Sequence, residues 1–176
     1  MKPIASSFFK AALLTTLCAI ATVCVAAAEV TSAETKARMI QLINKLESDP
    51  FLKDGKKVRG EVLSWLTEAP DVTVTVCTDV LGDIDNIKGD EVGTLVVQLM
   101  FSEAKFILEH PDMAANQHAV NVAGVEGVLR TYASMQAVKP KLAIPEFDQL
   151  ARMKASGQLG AEVKRRLAAC NKESTV

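Results

Sequence analysis

The chain has 176 residues, of which 49% are apolar, 23% charged and 5% aromatic, with a formal net charge of −1. So much apolar matter at so little net charge excludes an intrinsically disordered chain. The lack of a basic excess argues against nucleic-acid binding, which needs cations to offset phosphate. The length suits one domain.

Residues 1–28 stand apart. Lys2 and Lys10 mark a short positive start, and the stretch from Ala11 to Ala28 carries no charge. It closes on Val25-Ala26-Ala27-Ala28, and the small residues Ala26 and Ala28 form the A-x-A pattern that a signal peptidase accepts. A signal peptide cleaved after Ala28 is therefore expected. The rival is an uncleaved anchor, because the apolar stretch approaches the ~17–25 residues of a membrane span. Cys18 and Cys24 follow the bulky Leu17 and Val23, where a lipoprotein cysteine follows a small residue. The expected mature domain, 29–176, is exported to the periplasm or beyond and has no membrane span. It keeps 18 basic and 21 acidic side chains, with acids in excess over residues 29–138 (17 against 10) and bases in excess over 139–176 (8 against 4). A chain of that size buries roughly 68–70% of its unfolded surface, enough for a core without staples.

Helical periodicity dominates the rest. Thr31-Ser-Ala-Glu34 has the form of a capping box with Thr31 as N-cap, and Met39, Leu42, Ile43 and Leu46 follow as a stripe that stops at Asp49-Pro50. Val58, Val62, Trp65 and Leu66 predict a second helix ending near Ala69-Pro70. Asp71-Val-Thr-Val-Thr-Val-Cys77 alternates and is β-branched, which favours a strand. No partner strand is evident, and buried backbone groups without partners are costly. A helix over about 72–85 is therefore expected, with Asp71 as N-cap and Val72, Val76, Val80 and Ile84 on one stripe. Val92, Leu95, Val96, Leu99, Phe106 and Ile107 predict a long amphipathic helix ending at Glu109-His110-Pro111. Another spans about 114–138, its inner face carrying Val122, Val125, Leu129, Tyr132 and Met135. Phe147, Leu150 and Met153 mark a short helix stopping at Ser156-Gly157, and Leu159, Val163, Leu167 and Cys170 line one face of the last. The expected architecture is an all-α, bundle-like domain of six or seven helices.

Cys77 and Cys170 are the cysteines left after export, and both lie on apolar stretches. In an oxidising compartment they are expected to form a disulfide, with two buried thiols as the alternative. The bridge would close roughly ninety residues of chain, worth about 4–5 kcal/mol at most in the chain-entropy model. No C-x-x-C pattern is present and no basic residue adjoins Cys77, so a catalytic thiol is not expected.

Chemical motifs are sparse. His110 and His118 flank a turn with Glu109 and Asp112, an arrangement that suits a divalent metal. The plainer reading makes His110 a helix C-terminal residue and His118 a residue of a wet helix start. The stretch from Asp83 to Glu91 is acidic but lacks the ligand spacing, Gly and final Glu of a calcium loop. No nucleophile elbow, phosphate loop or dinucleotide fingerprint occurs. Gly124-Val-Glu-Gly127 fits a close approach between helices, and Lys164-Arg165-Arg166 a solvated face. Accordingly no catalytic residue, metal ligand or cofactor is expected. The partner is an unidentified protein or envelope component.

The stretch from Phe51 to Cys77 with Ser64-Trp65 and Pro70-Asp71, the motif Phe106-Ile-Leu-Glu-His-Pro111, the run Ala119 to Gly127, and the segment Lys139 to Leu159 together resemble a group of exported bacterial helical proteins with no assigned activity. The resemblance implies an exported helical domain and no particular chemistry. Around Cys77-Thr-Asp-Val-Leu81 the chain is similar to small periplasmic acid-stress chaperones, which are helical with one disulfide, although its cysteines lie much farther apart. The functional expectation is thus an exported, non-enzymatic binding or structural domain. The alternatives are an envelope acid-stress chaperone and a carboxylate- or metal-dependent hydrolase.

Overall fold

The computed structural model describes residues 30–173, save Asn86 and Lys88. The expected signal peptide and its cleavage point after Ala28 lie outside the described residues. Six α-helices follow in order: α1 (Ala33–Ser48), α2 (Gly55–Glu68), α3 (Asp90–Glu109), α4 (Gln117–Val138), α5 (Pro145–Ala155) and α6 (Leu159–Glu173). Short 3-10 turns occupy Thr78–Leu81 and Pro111–Met113. No strand is present among the described residues. The domain is all-α, as its periodicity predicts.

Local chemistry sets most of the boundaries. Pro145 opens α5, with Glu146 and Asp148 in its first turn and Arg152 and Lys154 in its last, so charge complements the helix dipole at both ends. Gly157 ends it at φ +73°, and the amide of Gln158 reaches back to the Met153 carbonyl at 2.8 Å. Asp90 and Glu91 fill the first turn of α3. The N-cap of α1 is Ser32 rather than Thr31: the Ser32 hydroxyl accepts from the Thr35 amide at 3.1 Å. Thr31 instead donates its amide and hydroxyl to the Asp71 carboxylate, so Asp71 caps no helix of its own.

That contact belongs to the main departure from expectation. Residues 72–77 form no helix; they run without turn or bend as a strap from α2 to the 3-10 turn. Val72 is buried in one hydrophobic cluster and Cys77 in the other. Six extended residues span about 20 Å, whereas six helical ones rise only about 9 Å, so the extended form suits a link between two cores. Burial was the premise that told against it. Thr73, Thr75 and Val76 are exposed, so the strap backbone lies at the surface and carries no buried-orphan penalty.

The long hairpin of α3 and α4 is shared by both clusters. Leu95 and Leu99 of α3 join Val125, Val128, Tyr132, Phe147, Leu159 and Val163 in one. Phe101, Ala104, Ile107 and Leu108 join Met39, Ile43, Leu46, Val58 and Val62 in the other. Tyr132 ties α4 to α5: its hydroxyl donates to Asp148 at 2.9 Å and accepts from the buried Ile144 amide at 2.8 Å.

Candidate functional site

Small residues on α4 fix how closely α3 can approach. A methyl group on Gly124 would lie 2.6 Å from Glu103 Cγ and 2.9 Å from Leu99 Cδ1, and one on Gly127 would overlap Ser102. Glycine at both positions lets the α3 side chains rest on the α4 backbone, the close approach that Gly124 and Gly127 predict.

Two carboxyl groups are buried at this seam. Glu47 of α1 accepts from Arg130 Nε at 2.8 Å and Nη2 at 3.1 Å, and from the Ser102 hydroxyl at 3.0 Å. Lys105 Nζ stands 3.6 Å away, and Gln98 extends the chain by donating to Ser102 at 3.2 Å. The Glu47 hydrogen bonds hold the Arg130 guanidinium more firmly charged than usual. Glu103 is the opposite case. It is 0% exposed, neither carboxyl oxygen has a hydrogen-bond partner, and burial alone pushes its pKa up to about 8. It is therefore largely a neutral acid at pH 7.

Beside the Glu47 network a groove of about 640 Å³ opens between α3 and α4. Phe106, Ala119, Val122 and Ala123 supply apolar walls. Lys105, Arg130 and Glu126 are polar groups along it, and Glu109 with the two imidazoles adds more. His110 is the C-terminal cap of α3 and packs against the Phe106 ring at 4.8 Å. His118, in the first turn of α4, donates its Nε2–H to the Gly160 carbonyl at 2.8 Å. The structure thus brings His110 and His118 to one groove. No third ligand joins them in a set close enough to hold a metal ion among the described residues.

The acidic stretch 83–91 divides. Asp90 and Glu91 enter α3, and Glu91 takes the Lys139 ammonium at 2.6 Å, which lowers its pKa. Asp83 and Asp85 face a shallow opening with Arg165 and Arg166. Arg166 is no solvated residue, since it donates to the Val80 carbonyl at 3.2 Å and to Glu162 at 2.6 Å.

Cys77 and Cys170 meet with their sulfurs bonded and their Cα atoms 6.2 Å apart, a spacing normal for a disulfide. Asp79 Oδ2 lies 3.6 Å from Cys170 Sγ, completing a cluster of three ligand atoms. With the bridge formed, neither sulfur offers a thiolate to a metal.

Sequence reasoning missed Glu47 and Glu103. For Glu103 the signal was present: Ser102 and Glu103 fall between Leu99 and Phe106 on the apolar line of α3, where polar residues need a reason. No helix among the described residues is long and apolar enough to cross a membrane. No family model, curated protein or solved structure matches the chain.

Proposed function

We propose that this is an exported, non-enzymatic binding domain that holds a small amphiphile in the α3–α4 groove. The observation that carries the reading is the groove itself: about 640 Å³, within the ~300–1,000 Å³ usual for ligand sites, with apolar walls between polar groups. A ligand with an apolar body and a polar group at each end matches that lining. The Glu47–Arg130–Ser102 network supports it from behind, so the site stands on packed helices rather than loops.

The alternatives draw less support. A hydrolase would use a carboxyl of perturbed acidity in a cleft. The strongly raised one, Glu103, is sealed against Gly124 outside the groove lining. A chaperone loosened by acid would draw on the carboxylates with lowered pKa, Glu91 and Glu162 among them, but these sit in partly exposed ion pairs, while the fully buried Glu103 takes up its proton with gain to the folded state.

The test is native mass spectrometry of the mature chain after incubation with a small-molecule extract and repurification. A bound mass on the wild type that is lost in Ala123→Trp, which fills the groove, is the expected result. A bound mass retained in that variant, or none on either protein, would overturn the proposal.

A further inference from the structure

The bridge gathers more than two sulfurs. Cys77 Sγ, Cys170 Sγ and a carboxylate oxygen of Asp79 all lie within 4.8 Å of one another. Cys77 ends the strap, Asp79 sits in the 3-10 turn Thr78–Leu81, and Cys170 lies near the end of α6. Asp79 is exposed and Cys170 is half-buried, so solvent and a reductant reach the group. An opening of about 360 Å³ adjoins both sulfurs.

The juxtaposition does not depend on the S–S bond. Val80 and Leu81 of the turn are 0% exposed and share a hydrophobic cluster with Leu159 and Val163 of α6. Arg166 of α6 donates to the Val80 carbonyl at 3.2 Å and is itself held by Glu162 at 2.6 Å. Packing and this clamp keep the turn against the helix when the sulfurs are unbonded.

We propose that the two-thiol form of the domain is a zinc site, in which Cys77 and Cys170 as thiolates and Asp79 as a carboxylate hold one Zn²⁺ and water takes the fourth position. Zinc accepts sulfur and oxygen ligands together in a tetrahedron. Calcium and magnesium ask for oxygen alone, and copper(I) has no use for the carboxylate. Thiolates bound to zinc at about 2.3 Å stand about 3.8 Å apart on a tetrahedral ion, within reach of cysteines whose Cα atoms are 6.2 Å apart. Bridge and metal exclude each other. A dithiol reductant passes two electrons and two protons to the bridge and leaves as its own disulfide. Zn²⁺ then displaces the two thiol protons. The site is separate from the α3–α4 groove and stands or falls independently of it.

The probe is zinc itself, titrated in competition with a chromogenic chelator into the full domain, bridged or reduced by a phosphine that adds no thiol of its own. One zinc per reduced monomer, with a dissociation constant below about 1 μM, and none per bridged monomer is the expected result. Cobalt(II) in place of zinc should give thiolate-to-metal absorption in the near ultraviolet. Asp79→Asn, a change at an exposed position, should leave the helix circular dichroism intact and weaken zinc at least tenfold. No binding to the reduced domain, equal binding to both forms, one zinc shared by two chains, or unchanged affinity in Asp79→Asn would overturn the proposal. So would a reduced domain that loses its helices and does not regain them with zinc.

Discussion

Removing the charge option from residue 103 tests the account of the α3–α4 seam. Glu103 has an ordinary pKa of 4.5 in the unfolded chain and about 8 in the folded one, with burial as the cause. Each unit of that shift is worth about 1.4 kcal/mol, so the difference between the low- and high-pH limits reaches about 5 kcal/mol. The folded state binds the proton more tightly than the unfolded state. The wild type is therefore most stable with respect to this group below pH 4.5, loses stability as pH rises from 4.5 to 8, and levels off above that. By pH 7 the loss is about 3 kcal/mol, a large share of the ~5–15 kcal/mol total of a typical domain. Glu103→Gln keeps the shape and carries no proton to lose. Urea unfolding followed by helix circular dichroism from pH 5 to pH 9 should show this slope in the wild type and its disappearance in the variant. By pH 9 the variant should be the more stable protein by several kcal/mol. Identical slopes in the two proteins would refute the reasoning.

Gly127→Ala should destabilise by about 2 kcal/mol or more, because the added methyl overlaps Ser102 under the Glu47 network. Gly60→Ala, in α2 with nothing near the added carbon, should instead gain about 0.5–1 kcal/mol, and the opposite signs are read in one thermal-melt experiment. Tyr132→Phe should cost about 1–3 kcal/mol in urea unfolding, since the buried Ile144 amide loses its acceptor. Non-reducing mass spectrometry of protein isolated without reductant should show a mass lower by two hydrogens and a linked Cys77–Cys170 peptide. Two alkylated thiols would contradict the bridge.

Where periodicity was strong the fold was legible. The stripes of α1, α2, α3 and α6 and the stops at Pro50, Pro70 and Gly157 follow from spacing and backbone chemistry alone. Residues 72–77 were not legible, because the choice between helix and extended chain turned on whether the backbone would be buried, a tertiary fact. The pairing of Cys77 with Cys170 could be expected from their number and their apolar stretches, although Cys77 is delivered by the strap 72–77 rather than by the expected helix. The groove was legible only in its parts. His110, His118 and the small α4 residues stood out singly, but Glu47 reaches Ser102 and Arg130 from a separate helix, and no local pattern announces that.

The groove is tested most directly by amide NMR of the domain titrated with a library of small amphiphiles. Shift changes that saturate and cluster at Phe106, His118, Val122 and Ala123 are what a binding domain built around α3 and α4 predicts. Shifts that scatter over the surface, or cluster where these two helices do not reach, would contradict it.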